Sequence, residues 1–336
     1  MFKLYKLLFF TTMIIGTLVS ISSNSWMGMW MGLEINLLSI IPLMNNNENA
    51  LSVEASLKYF ITQAIASTII LFSIIMMSFS FDIKFIESSC ILIFNSALLT
   101  KMGSAPFHFW FPEVMEGLNW FNCLILLTWQ KIAPMVLITY NFNFPLFFSM
   151  IIIFSMLISG IMGLNQISLR KILAYSSINH IAWMLASMFT MESTWMFYFS
   201  VYTIISINIV LIFKILNIYY VSQIFMAMKQ ETLTKFFFIL NFLSLGGLPP
   251  FLGFFPKWIT IQGLIENKFY FLSFLMVILT LLTLFYYMRL IFSALMLNSS
   301  ELNFTLEFSS NRFWIFTYNS ISLVGLVFCT LMFNFS

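Results

Sequence analysis

Charge is what this sequence most lacks. Only 8% of its 336 residues are Asp, Glu, Lys or Arg, whereas 61% are hydrophobic. A soluble domain carries about 25% charged residues, so this chain cannot cover a water-facing surface and must lie in a membrane. Cysteine is also scarce. Cys90, Cys123 and Cys329 are far apart without C-x-x-C spacing, so they read as small apolar residues. Three cysteines cannot supply a four-cysteine iron–sulfur cluster. No G-x-G-x-x-G follows a strand, which excludes a dinucleotide site. The net charge of +3 is small and scattered, so no nucleic-acid partner is indicated. Two histidines on different spans, His108 and His180, are weak evidence for bis-histidine haem ligation.

Apolar residues fill the space left by charge, with 42 Phe and 24 Met. Together with Ile and Asn, these are favoured by AT-rich coding, which points to an organellar gene. A helix needs about 20 apolar residues to cross a bilayer, and on that rule roughly eleven spans are expected. They lie near 5–23, 25–44, 55–79, 86–115, 119–139, 145–163, 171–190, 193–217, 235–263, 268–296 and 312–334. The runs are continuous rather than alternating, which excludes a barrel. The polar joints are too short for a soluble domain. The expected fold is therefore an all-α polytopic membrane protein. Lys3 and Lys6 before Leu7–Ser23 could mimic a signal peptide, but no convincing cleavage site follows, and the segment reads as a retained first span. An odd span count puts the termini on opposite sides. Lys3, Lys6, Arg170, Lys171, Lys229, Lys235 and Arg312 gather on the N-terminal side, and only Lys84 and Lys268 on the other. That bias places the N-terminus in the matrix or cytoplasm.

Two spans are interrupted. The fourth breaks at Gly103-Ser104-Ala105-Pro106, and the ninth at Gly246-Gly247-Leu248-Pro249-Pro250. Proline removes a backbone donor, and broken backbone at membrane depth survives only where protein or water satisfies it. Each break falls in the fourth span of a set of five, with the sets about 140 residues apart, which is the pattern of inverted repeats in transporters. Residues 1–336 then form one transmembrane domain. Repeat one covers about 5–140, repeat two about 145–296, and an extra helix lies at about 312–334.

Four ionisable residues sit inside or at the break of these spans: Glu34, Lys101, Lys131 and Lys257. A charge at the bilayer centre costs roughly 2.5–3.5 kcal/mol on insertion scales, so such residues face a bundle interior or a water-filled path. Glu34 is either a protonated acid that locks two helices or the partner of a lysine. Lys101 is the candidate partner, at the end of a half-helix where exposed carbonyls favour its charge. Lys131 is a relay group or a snorkelling lysine. Lys257 is the least secure, because it lies near the end of its half-helix. Lys58 and Lys214 are the controls, an interfacial i,i+4 pair with Glu54 and a snorkelling span-end residue. His108 and His180 read as hydrogen-bonded core histidines or as members of a water wire.

Six segments carry a resemblance: Gly32-Leu-Glu34-Ile-Asn36, Glu54-Ala-x-x-Lys58-Tyr59-Phe60, Lys101-Met-Gly-Ser-Ala-Pro-Phe-His-Phe-Trp110-x-Pro-Glu113, Trp129-Gln-Lys-Ile-Ala-Pro134, Leu169-Arg-Lys-Ile-Leu-Ala-Tyr-Ser-Ser177 and Leu245-Gly-Gly-Leu-Pro-Pro250-x-x-Gly-Phe-x-Pro-Lys257-Trp258. In order and over nearly the whole chain, they resemble the subunit-2 family of mitochondrial NADH dehydrogenase, respiratory complex I, in its insect-type form. The resemblance implies an antiporter-like core subunit of the membrane arm in the mitochondrial inner membrane. It also implies proton uptake at the pair Glu34 and Lys101, a connecting Lys131, and Lys257 on the second broken helix. No cofactor is expected on this chain, since NADH, FMN, iron–sulfur clusters and ubiquinone are used by other subunits. Expected partners are other membrane-arm and accessory subunits and lipids such as cardiolipin. Two other readings stay open: a free-standing cation/proton antiporter, and a scaffold whose buried charges only specify helix packing.

Overall fold

A computed structural model describes residues 4–45, 49–79, 84–227, 232–249 and 251–295, with 317, 319 and 320. The expected helix near 312–334, apart from those three residues, lies outside this set, as do Cys329 and Pro250. Among the described residues the regular structure is helical: α1 (Leu4–Ser22), α2 (Trp26–Met44), α3 (Ala50–Phe79), α4 (Lys84–Met102), α5 (Trp110–Gly117), α6 (Trp120–Leu127), α7 (Trp129–Tyr140), α8 (Pro145–Leu164), α9 (Leu169–Ser187), α10 (Glu192–Ile215), α11 (Val221–Ala227), α12 (Thr232–Gly246), α13 (Phe254–Glu266) and α14 (Tyr270–Leu295). Seven of the described helical segments are long and apolar enough to cross a membrane. The first ten expected spans fall on these helices, and the chain is a multi-pass membrane protein.

The chain divides into two compact units, Met1–Phe148 and Ser149–Ser336. In the first unit α1 and α2 approach closely because Gly16 and Gly32 face each other. A Cβ on Gly16 would press on the Asn36 backbone, and one on Gly32 on the Ser20 backbone. In lipid no hydrophobic force drives helices together, so small residues that let backbones meet hold such a pair. Gly117 gives α5 the same closeness to Leu51 of α3. In the second unit α9 is the core. Every residue of α9 except Arg170 and Lys171 is buried, which is why it carries Ser176, Ser177, Asn179 and His180 without meeting lipid. Arg289 of α14 donates to the carbonyls of Leu164 (2.6 Å) and Gln166 (3.2 Å), and so holds the end of α8.

The two breaks are built alike. Gly103 has φ +74° and Gly247 φ +75°, the left-handed conformation that glycine adopts without a Cβ penalty. Gly103 N–H donates to Leu99 and Thr100 carbonyls, Ser104 N–H to Leu99, and Phe107 N–H to Ser104. At one constant spacing, Gly247 N–H donates to Leu243 and Ser244, Leu248 N–H to Leu243, and Phe251 N–H to Leu248. This is the helix-ending motif that satisfies orphan carbonyls without continuing the helix.

The fifth expected span is not continuous. It breaks at Thr128, between α6 and α7, where φ is −114° and ψ −73°. The Thr128 hydroxyl donates back to the Leu124 carbonyl at 2.8 Å, a local bond that competes with helix propagation. Pro134, inside α7, withholds the N–H that the Gln130 carbonyl would otherwise receive. Lys131 therefore sits in the first turn after this break, in the middle of the Trp120–Tyr140 span.

Candidate functional site

Lys101 is the last basic residue of α4 and is buried. The half-helix carbonyls expected to attract its ammonium are already taken. Trp110 Nε1 donates to the Thr100 carbonyl at 3.0 Å, and Gln63 Nε2 to the Lys101 carbonyl at 3.3 Å. The Lys101 side chain instead borders a cavity of about 10 Å³, whose polar lining is Asn36, Tyr59, Gln63, Lys101 and Gln130. That space suits about one water. The lining is ordered by its own bonds. Gln130 Nε2 donates to Asn36 Oδ1 at 2.8 Å, and Tyr59 O–H donates to Gln130 Oε1 at 3.5 Å.

Glu34 is half-buried on α2, and its carboxylate acts on the Lys101 ammonium through space. The two do not touch. Lys58, by contrast, forms ion pairs with Glu54 (3.0 Å) and with Glu113 (2.8 Å). The Glu54 bridge is the expected i,i+4 pair. The Glu113 bridge is an addition that ties α3 to α5 across an exposed surface. Lys131 is 1% exposed, so it does not snorkel, and its ammonium lies 5.8 Å from the Phe111 ring centroid. Such a cation over an aromatic face gains about 0.5–2 kcal/mol. His108 is placed in the turn of the first break, with Nδ1 3.3 Å from the Pro106 carbonyl and its ring against Phe109. The structure does not bring it to a lysine.

In the second unit Lys257 lies in the first turn of α13 and reaches back across the break. Its ammonium donates to the carbonyls of Gly246 (2.9 Å) and Leu245 (3.3 Å) at the end of α12. Lys257, not Lys101, is thus the lysine bonded to half-helix carbonyls, where a positive charge is favoured. Gly247 leaves room for its side chain, since a Cβ there would meet Lys257 Nζ at 2.9 Å. The Lys257 ammonium also sits 5.7 Å from the Trp183 ring centroid on α9. His180 lies one turn earlier on the same face of α9, its Nδ1 hydrogen-bonded to the Tyr198 hydroxyl at 2.9 Å and its ring 5.0 Å from that of Tyr202. Asn179 Nδ2 donates to Thr283 Oγ1 at 3.3 Å. Cys90 and Cys123 are buried as expected of apolar residues.

Residues 23–283 match the family described as "NADH:quinone oxidoreductase/Mrp antiporter, TM". Proteins named NADH-ubiquinone oxidoreductase chain 2 are 50% identical in Anopheles gambiae and 52% identical in Aedes aegypti, each over 98% of this chain and 98% of the relative. The chain belongs to the NADH:quinone oxidoreductase/Mrp antiporter transmembrane family. The Locusta migratoria protein of the same name is 46% identical over 97% of this chain and 96% of its own. Among solved structures, a chain of respiratory complex I from Thermus thermophilus superposes with TM-score 0.88 at 20% identity, covering 98% of this chain and 78% of that one. A chain of the Mrp complex from a Dietzia species gives 0.74 at 17% identity, covering 86% and 60%. At these identities the structures speak for the family fold alone.

The sequence marks the charged candidates by the cost of burying them, but not the neutral residues that line the cavity beside Lys101. Asn36, Tyr59 and Gln130 lie within the quoted motifs, but amides and a phenol are common in cores and carry no energetic flag of their own. Gln63 lay outside the motifs altogether. A polar residue spaced to the buried face of α3, as Tyr59 and Gln63 are, was the available signal.

Proposed function

We propose that this chain is an antiporter-like membrane-arm subunit of a mitochondrial NADH:ubiquinone oxidoreductase, and that it helps to couple electron transfer to proton translocation. It lies in the mitochondrial inner membrane with its N-terminus on the matrix side. Its partners are other subunits of that complex, with lipids such as cardiolipin at its surface. Electrons stay in other subunits, where NADH, FMN, iron–sulfur clusters and ubiquinone are used. The two halves are repeats, a reading supported by the matching hydrogen bonds of the two breaks.

The observation that carries the relay is a buried Lys101 beside a polar, water-sized cavity and within the field of Glu34. A Glu–Lys contact about 4 Å apart is worth roughly 4 kcal/mol at an effective dielectric of ~20. Moving one charge through the membrane field costs roughly 2.3 kcal/mol per 100 mV. Making and breaking the Glu34–Lys101 contact is therefore large enough to load and unload a proton against a potential. In this structure the contact is open. Lys131 continues the relay in the first unit, and Lys257 serves the second with His180 on the adjoining face of α9. Glu34→Gln keeps the shape and removes the charge. The expected result is an assembled complex that pumps fewer protons per electron in proteoliposomes, with NADH oxidation by an artificial acceptor unchanged. A normal proton-to-electron ratio would sink the assignment. Particle size in mild detergent separates this reading from a free-standing antiporter, which would run as a small species with Na⁺-dependent transport.

A second reading is favoured at one residue. Lys257 caps two carbonyls, so its charge can serve the break itself. Lys257→Gln separates the two, because an amide still donates but does not titrate. Loss of pumping in an assembled complex is the expected result. Full pumping with Gln leaves Lys257 as a cap.

A further inference from the structure

We propose that Gln130 is a positioning residue for the proton on Lys101, acting through a single water in the cavity between them. The inference rests on the relay reading of Lys101. Among the described residues the structure records no protein acceptor for the Lys101 ammonium, although the side chain is buried and borders a polar cavity. A buried ammonium needs acceptors. The cavity is lined by four neutral polar residues whose side chains carry groups able to orient one water, Asn36, Tyr59, Gln63 and Gln130.

Gln130 is the one whose direction is set from two sides. Its Nε2 is engaged by Asn36 on α2, two residues from Glu34, and its Oε1 receives the Tyr59 hydroxyl on α3. The short bond to Asn36, with the longer contact from Tyr59, favours this orientation of the amide. The Oε1 therefore keeps a lone pair available to a water that accepts from Lys101. Gln130 is also next to Lys131 in the first turn of α7, just after the break at Thr128. The Lys101 water is thereby tied to the half-helix that carries the next lysine, and to the helix that carries Glu34. An amide does not transfer protons itself at a useful rate, so Gln130 orients the carrier and is not a station on the path.

The test uses the assembled complex in proteoliposomes carrying Gln130→Leu, which keeps approximate size and removes both polar atoms. Coupled turnover is expected to slow about tenfold, and its solvent deuterium isotope effect to grow, because proton transfer at Lys101 becomes limiting. Asn36→Leu, which frees the amide, should slow turnover too, and the double variant should be no slower than Gln130→Leu alone. Should Gln130→Leu fail to assemble, Tyr59→Phe removes one bond with little change of volume, and it should still enlarge the isotope effect. Normal turnover in Gln130→Leu overturns the proposal, as does slowing with an unchanged isotope effect, which is the mark of a packing role. Lys101→Ala, measured in parallel, keeps the two readings apart. If it leaves pumping intact, the relay itself has failed. If it abolishes pumping while the Gln130 variant behaves normally, only the positioning role falls.

Discussion

Lys101→Ala should reduce proton translocation by about 100-fold or to background, the scale on which positioned proton-transfer groups act, while the complex still assembles. The prediction of intact assembly follows from how the first break is held. The carbonyls of Leu99, Thr100 and Lys101 at the end of α4 are satisfied by backbone N–H groups, by Trp110 and by Gln63, and none of them uses the Lys101 side chain. Removing the ammonium leaves a polar cavity that water can enter and costs the fold little. NADH oxidation by an artificial acceptor should be unchanged, because that chemistry belongs to other subunits. Proton uptake and NADH oxidation measured together in proteoliposomes decide the matter. An unaltered ratio of protons to electrons would remove Lys101 from the path.

Gly253→Ala should have the largest effect on the fold. The backbone at Gly253 is ordinary, with φ −68° and ψ −15°, so glycine is needed there for space and not for conformation. An added Cβ would overlap the Ser244 carbonyl oxygen, part of the backbone of α12. No rotamer change relieves a clash with backbone. The methyl must push α13 away from α12 and carry Lys257 off the carbonyls it caps. Overpacking costs about 1–3 kcal/mol and occasionally more, and a loss of 1–2 kcal/mol changes abundance about several-fold. The assembled complex on a native gel should fall accordingly. Gly246→Ala is the control. The atoms nearest its Cβ lie at 3.8 Å or beyond, ordinary contact distance, so assembly should be normal. Normal assembly of Gly253→Ala would show that the break yields more easily than its geometry implies.

Much of the fold was readable because a bilayer imposes simple demands. Long apolar runs must be helices, and Gly-Pro clusters inside them must be breaks. The break at Thr128 was not readable. A threonine bonding back to its own helix differs from an ordinary mid-span threonine only in its backbone angles, and sequence does not show those. The charges of the site were conspicuous because burying them is costly. Their partners were not, because Asn36, Tyr59, Gln63 and Gln130 come together from α2, α3 and α7 around the end of α4.

The sequence by itself determined that this is a polytopic helical membrane protein, where two of its helices break, and which lysines and glutamate must be sheltered. These follow from local composition, since hydration cost and backbone satisfaction are felt residue by residue. Only the tertiary structure decided what shelters each charge. It gave the half-helix carbonyls to Lys257, a neutral amide-lined cavity to Lys101, an aromatic face to Lys131, and left Glu34 acting at a distance. Those assignments depend on contacts between side chains far apart in the chain, and such contacts are settled by packing.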